Sequence, residues 1–190
     1  MNEYAEREHK RIDALPTEGR LKLDKLYGSK VVEYQFKKIK RSRKYPSVGD
    51  LFEMQLPSGD VFHGVVLVNH INNYLGEDLL LIAVLNPDVE VSDVVEISIN
   101  DLFIPLQIVG SEYWSYGYFS FVKNVEIINR LNDYGFYNTL NDRYYDVYGE
   151  GLKKRPQYFG LFAVATIIGV SMKISREQII RSFTGANYVE

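Results

Sequence analysis

The sequence predicts an α+β protein: an antiparallel β-rich central barrel or strongly curled sheet, with helices at its N- and C-terminal ends. Three observations predict it. Residues 51–122 break into short apolar runs separated by Pro, Gly, Asn and Asp, with no helical period between them, which is the pattern of consecutive antiparallel strands. Residues 3–14 are rich in helix formers (Glu3, Ala5, Glu6, Arg7) and are followed by the breakers Pro16 and Gly19. Near the other end, Ser175-Arg176-Glu177-Gln178 has the spacing of a capping box ahead of Ile179, Ile180 and Phe183. With 190 residues, 46% hydrophobic and 25% charged, the chain is expected to form one domain around a full core. Within it, residues 1–44 read as a helical, basic segment, 45–122 as the β-rich core and 123–190 as a mixed, helical part.

The elements follow in order. In residues 31–40, Val32, Tyr34 and Phe36 alternate with Glu33, Gln35 and Lys37, the period of a half-buried strand. Residues 51–56 and 61–68 read as a hairpin around Pro57-Ser58-Gly59-Asp60, where Pro presets φ and Gly supplies positive φ. Residues 79–85 are continuously apolar, as in a strand with no solvent face, and residues 94–99, 103–109 and 116–122 supply further short strands. Tyr137, Leu140, Tyr144 and Tyr148 recur at near-helical spacing and end at Gly149, which favours a helix. Residues 159–168 are apolar all round, a buried helix unless they form a central strand.

Several function classes find no support. The chain has no cysteine, so neither disulfides nor a thiolate metal site is available. The first ten residues are polar and lack the apolar region of a signal peptide, and the longest apolar stretch, 158–170, is too short to cross a bilayer. A cytoplasmic protein without membrane contact is expected. Of the three histidines, His9 lies in a charged segment, while His63 and His70 have an odd separation that puts them on opposite faces of a strand unless a bulge intervenes. No Gly-x-Ser-x-Gly elbow and no phosphate-binding Gly-rich loop occurs. The expectation is a protein with no catalytic residues, no metal and no cofactor. A dispersed carboxylate site would announce itself only as a deep pocket lined by carboxylates or His63.

Charge is unevenly placed. Residues 1–44 hold 13 Lys/Arg against 7 Asp/Glu, whereas residues 50–150 hold 16 Asp/Glu and only Lys123, Arg130 and Arg143. Such segregation sustains a negative potential over the central segment, which serves either solubility alone or the attraction of a basic partner. Of the 15 tyrosines, eight lie close to Trp114 or over 134–148; such residues either fill a core or anchor an interface. Ser111-Glu112-Tyr113-Trp114-Ser115-Tyr116-Gly117 reads as an exposed inter-strand loop. The expected partner face is therefore Glu112, Tyr113, Trp114 and Tyr116, with acidic support from Asp88, Glu90 and Asp93. The run 37–44, six basic residues in eight, is either a solvated strand end or a phosphate contact; no aromatic platform is interleaved in the run itself.

Val48-Gly49-Asp50-Leu51-Phe52, Leu56-Pro57-Ser58-Gly59-Asp60 and Phe62-His63-Gly64-Val65-Val66 together resemble the immunity protein 26 family of bacterial polymorphic-toxin systems. In that family a V-G-D-x-F strand leads into a hairpin and a glycine-hydrophobic return strand, and Trp114 with Gly117 is similar to its later Trp near a Gly. The resemblance covers about residues 45–122. It implies a cytoplasmic protein that binds and neutralises a cognate toxin, often a basic nuclease, without chemistry of its own. The alternative is a nucleic-acid-binding small barrel using residues 37–44.

Overall fold

Helices, a five-stranded sheet and two small sheets alternate along the chain, and a computed structural model describes residues 2–185 of it. The elements are α1 (Glu3–Asp13), α2 (Thr17–Tyr27), a 3-10 turn at Val31–Glu33, β1 (Asp50–Gln55), β2 (Val61–Asn73), β3 (Gly76–Val84) and β4 (Val94–Ile97). There follow β5 (Gln107–Val109), α3 (Glu112–Ser115), β6 (Ser120–Asn124), β7 (Glu126–Asn129), β8 (Tyr134–Asn138), β9 (Arg143–Tyr145), β10 (Tyr158–Leu161) and α4 (Ile167–Thr184). The main sheet has the order β5-β3-β2-β1-β6, with every pair antiparallel. Its outer strands do not meet, so the sheet is open and the barrel alternative is not adopted. The smaller sheets are β10-β8-β9 and the parallel pair β4-β7. No helix among the described residues is long and apolar enough to cross a membrane.

Strand alternation sends neighbouring residues to opposite faces of the main sheet, and both faces are buried. Leu51, Val65, Leu81 and Ala83 pack towards β4 and β8 with Ile97, Phe136 and Phe162. Phe52, Met54, Val66, Leu80 and Ile82 pack the other way, against Tyr113, Trp114, Phe119 and the α4 residues Val170 and Ile174. This two-sided burial is why residues 79–84 of β3 are continuously apolar.

The residues that carry the family resemblance have structural work in this hairpin. Gly49 sits at φ +85°, and a Cβ there would lie 2.4 Å from the Val125 carbonyl oxygen. Buried Asp50 accepts hydrogen bonds from Ser47 N and Asn124 Nδ2, both at 2.9 Å, and so joins the start of β1 to β6. At Gly64 a Cβ would lie 2.5 Å from the Phe52 ring; glycine lets that ring lie flat over the return strand.

A helical layer closes the structure. Leu15 and Leu23 meet Ile180 of α4. Beside them Glu177, 1% exposed, receives both terminal nitrogens of Arg11 at 3.0 and 2.7 Å and Arg181 Nε at 3.0 Å. Arg181 also donates to the Leu102 and Phe103 carbonyls, tying the helices to the sheet. Buried Glu8 pairs with Arg176 in the same seam.

Several sequence expectations are corrected. The first helix ends at Asp13, ahead of Pro16, as expected, but a second, α2, follows with Pro16 at its N-cap and Gly19 inside it, where Leu15 and Phe183 approach. Residues 31–40 form a 3-10 turn and an extended stretch instead of a strand, joined to the sheet through Lys37 N to Gln55 O and Ile39 N to Gly117 O. Residues 137–148 are β8, β9 and their turns, not a helix, because Asp142 at φ +54° reverses the chain. Ser175 lies inside α4, whose first turn is capped by Thr166 Oγ1 accepting from Gly169 N. The strand expected at 116–122 starts at Ser120, after α3 and the Gly117 turn; β7 was not expected at all.

Glu177 is the buried carboxylate shared by Arg11 and Arg181, and breaking a buried pair is costly, so Glu177→Ala should lose about 3–5 kcal/mol of stability. Urea unfolding measures it; a loss below about 1 kcal/mol would mean that the triad is a surface pairing.

Candidate functional site

The expected face around Trp114 does not form. Tyr113 is fully buried and Trp114 is 2% exposed, because Glu112–Ser115 is a helical turn, α3, and not a loop. The turn rotates both rings onto the sheet. Trp114 meets Phe52 and Phe119 edge-on at 5.1 and 5.2 Å, and Tyr113 lies 4.5 Å from Phe119. Tyr113 OH donates to the Ala165 carbonyl at 2.8 Å, and burial pushes its phenol well above the usual range. Both residues are core. Glu112 is half-buried and Tyr116 is exposed. Asp88, Glu90 and Asp93 are exposed on the β3–β4 connection, whose links run to β6 and β7 rather than α3: Asp93 pairs with Lys123 at 2.8 Å, and its carbonyl accepts Glu126 N. The hydrogen bond and charge of Lys123 hold the Asp93 carboxyl below the ordinary range.

An acidic face carrying aromatics is built elsewhere, where the β2–β3 tip meets the β8–β9 hairpin. Tyr74, 61% exposed, stands at the β2–β3 turn with its ring 4.9 Å from Phe162 and 6.0 Å from Tyr145. Its hydroxyl accepts from Asn138 Nδ2 at 3.0 Å, while Asn138 Oδ1 accepts Leu140 N at 2.9 Å. One buried asparagine thus fixes two turns. Leu140 is held out at 94% exposure in a tight turn that Asp142 N closes on the Asn138 carbonyl. A second turn brings Tyr148, 55% exposed, alongside: Asp146 Oδ1 accepts Tyr148 N and Glu150 N at 2.9 Å, and Asn73 Nδ2 donates to the Val147 carbonyl at 2.9 Å. Gly149, at φ +88°, lies against the Tyr74 ring. The same two segments, 72–78 and 138–150, carry Glu77, Asp78, Asp142, Asp146 and Glu150 against Arg143 as their one cation; Asp78 lies 3.0 Å from His70 Nδ1, and Asp142 accepts the Tyr137 hydroxyl.

The hairpin beneath this face is braced by two phenol–carboxylate bonds. Tyr137 OH donates to Asp142 Oδ1, and that bond, with burial, pushes the phenol up to about 12. Burial and a hydrogen bond to Glu3 push Tyr144 up to about 12 as well. In the sequence Leu140 figures only in an apparent helical period, and Tyr74 carries no signal of its own. The signals that could have found them are the turn strings Asn72-Asn73-Tyr74-Leu75-Gly76 and Asn138-Thr139-Leu140-Asn141-Asp142, in which a large apolar residue occupies a turn tip.

The basic run 37–44 lies beside β6. All six cations are exposed, and Lys38 and Lys44 approach the rings of Tyr118 and Phe121 at 5.4 and 5.8 Å. The aromatic neighbours missing from the run itself therefore come from the sheet edge. His70, at φ +51° in an irregular part of β2, stacks on Tyr45 at 4.5 Å, and its Nδ1 lies 3.0 Å from Asp78 Oδ1. Among the described residues no group of three or more His, Asp or Glu side chains is placed to hold a metal ion. Compared with models of known families, with curated proteins and with solved structures, the chain has no match.

Two outcomes check these assignments. Trp114→Ala should cost about 3–5 kcal/mol in chemical denaturation, as loss of a buried Trp does; a cost under about 1 kcal/mol would return the ring to the surface. The unfolded phenol titrates near 10 and the folded Tyr137 and Tyr144 near 12. Their protonated forms are favoured by folding, so this contribution is full below pH 10 and is lost as pH rises towards 12. Ultraviolet titration should show these phenols ionising only as the hairpin unfolds, and Tyr137→Phe should remove one of them. Ionisation of every phenol near pH 10 in the folded protein would contradict the assignment.

Proposed function

We propose that the protein is a bacterial immunity protein that binds a basic protein toxin and neutralises it by occlusion, with no catalysis of its own. The observation that carries the reading is the acidic face on which Tyr74, Leu140 and Tyr148 stand in solvent. Exposing large apolar side chains forgoes burial that would otherwise stabilise the fold. Here they sit on turns fixed by Asn138, Asp142 and Asp146, so little ordering cost remains for a partner to meet. Carboxylates around them complement a basic surface and speed encounter. Asp88, Glu90 and Asp93 act at longer range, as contributors to the same negative field.

The resemblance of residues 48–66 to the immunity protein 26 family supports the same class of function. Those residues set the β1–β2 hairpin, so their bearing is on the fold and not on the contact surface. The cavity beside α1 has no carboxylate and no histidine in its wall among the described residues; a second, of about 460 Å³, includes Glu3 and Asp142, each of which accepts a tyrosine hydroxyl.

Co-expression with a cognate toxic domain, sought in the gene immediately upstream, should restore growth. The pair Leu140→Arg and Tyr148→Ala should weaken toxin binding by about thirtyfold or more, since a central anchor contributes about 2 kcal/mol or more, with the melting temperature unchanged. Glu77→Lys with Glu150→Lys should slow association chiefly at low salt. Unrescued growth, or variants that bind as tightly as the parent, would refute the reading.

A second reading rests on the approach of Lys38 and Lys44 to Tyr118 and Phe121, a charged and aromatic edge suited to single-stranded nucleic acid. It requires RNA or DNA binding at low salt that falls steeply with added salt and is lost in Lys38→Ala with Phe121→Ala. Absence of such binding disposes of it.

A further inference from the structure

A cavity of about 410 Å³ opens beside α1, bounded by Ile99, Leu102 and Pro105 on one side and by residues 155–159 on the other. Its volume falls in the range of small-molecule sites, about 300–1,000 Å³. Arg7, Lys10, Arg11 and Arg155 contribute to its wall, and among the described residues no carboxylate does. The remainder of the wall is largely apolar and aromatic, and includes Tyr134, Tyr158 and the buried Phe159.

Phe159 organises the charge. The Arg7 guanidinium lies 4.3 Å from its ring centre and that of Arg155 5.4 Å, so two like charges are gathered on one aromatic surface. The carboxylates close to these cations are shared. Glu3 accepts Arg155 Nε at 2.6 Å; Glu8 stands between Arg7 and Arg176; Glu177 stands between Arg11 and Arg181. Exposed Lys10 adds to the positive side. Lys173, 2.6 Å from Gln107 Oε1, is lowered to about 8 chiefly by burial and secondarily by the charge of Arg176.

We propose that this cavity binds a small organic anion, its phosphate or carboxylate group held among Arg7, Lys10, Arg11 and Arg155 and its planar or apolar body lying against Tyr158 and Phe159. Guanidiniums suit both acid groups, because their planar forks meet paired oxygens. The apolar wall distinguishes the site from a bare anion patch: a ligand with a ring gains contacts that inorganic phosphate cannot make. The cavity shares none of its lining with the face assigned to the toxin, so this binding can fail without touching that assignment, and the reverse.

Titration of the full-length protein with phenyl phosphate, benzoate, inorganic phosphate and phenol tests it, followed by calorimetry and by amide chemical shifts. Phenyl phosphate should bind saturably with shifts confined to residues around the cavity, about tenfold more tightly than either inorganic phosphate or phenol. The benzoate arm separates phosphate from carboxylate preference, and tighter binding of either aromatic anion than of phenol supports the proposal. Lys10→Gln, at an exposed helix position, should weaken the preferred anion several-fold with the melting temperature unchanged; Arg155→Gln should weaken it further. Because Lys10→Gln leaves the Glu3–Arg155 pair intact, it tests the site even if the Arg155 change perturbs folding. Absence of saturable binding, phenol binding as tightly as both anions, or undiminished affinity in Lys10→Gln would overturn the proposal.

Discussion

Phe52, Phe119 and Trp114 pack on one face of the five-stranded sheet while Leu51, Val65 and Phe136 pack on the other, and this double burial decides where the molecule can meet anything else. The inner strands have no broad solvent face to offer. A residue placed over either side is drawn into a core, where burial of an aromatic ring is worth several times a surface contact. Contact surfaces are therefore confined to turn tips, to the β6 edge and to the helical layer. Tyr74, Leu140 and Tyr148 belong to the first, Phe121 and the basic run to the second, and the arginine-lined cavity adjoins the third.

The same arrangement separates charge in space as it is separated along the chain. Cations from the N-terminal segment and from α4 meet in the seam between helices, where Glu8 and Glu177 are buried between guanidiniums. Carboxylates from the central segment are left on hairpins and connections with few cations near them. A buried carboxylate between guanidiniums holds two helices in register; an exposed one beside an unburied Leu or Tyr acts mainly on an approaching partner. The two uses of one residue type follow from what each element packs against.

Much of the fold was legible in the sequence because its signals were local. The β1–β2 hairpin, α1 and the unbroken apolar run of β3 follow from turn residues, propensity and composition. The failures arose where a tertiary partner decides. The motif Ser111-Glu112-Tyr113-Trp114 carries no alternation, yet a single helical turn suffices to bury both rings once Phe52 and Phe119 lie below them. Tyr137, Leu140, Tyr144 and Tyr148 mimic a helical period because two strands and two turns happen to repeat at that spacing. Whether a tyrosine is a tip or a core residue depends on long-range pairs such as Asn138 with Tyr74, which no local window contains. The acidic, aromatic character of the candidate site was readable; its position was not.

If the proposed toxin is the partner, one surface of the protein closes over it. Amide hydrogen exchange of the protein alone and in complex with the toxic domain locates that surface directly. Protection gained at residues 72–78 and 138–150, with residues 37–44 and 111–117 unchanged, is the predicted result. Protection confined to the basic run and β6, or to the 86–93 connection, with the β8–β9 turns exchanging as in the free protein, would contradict it.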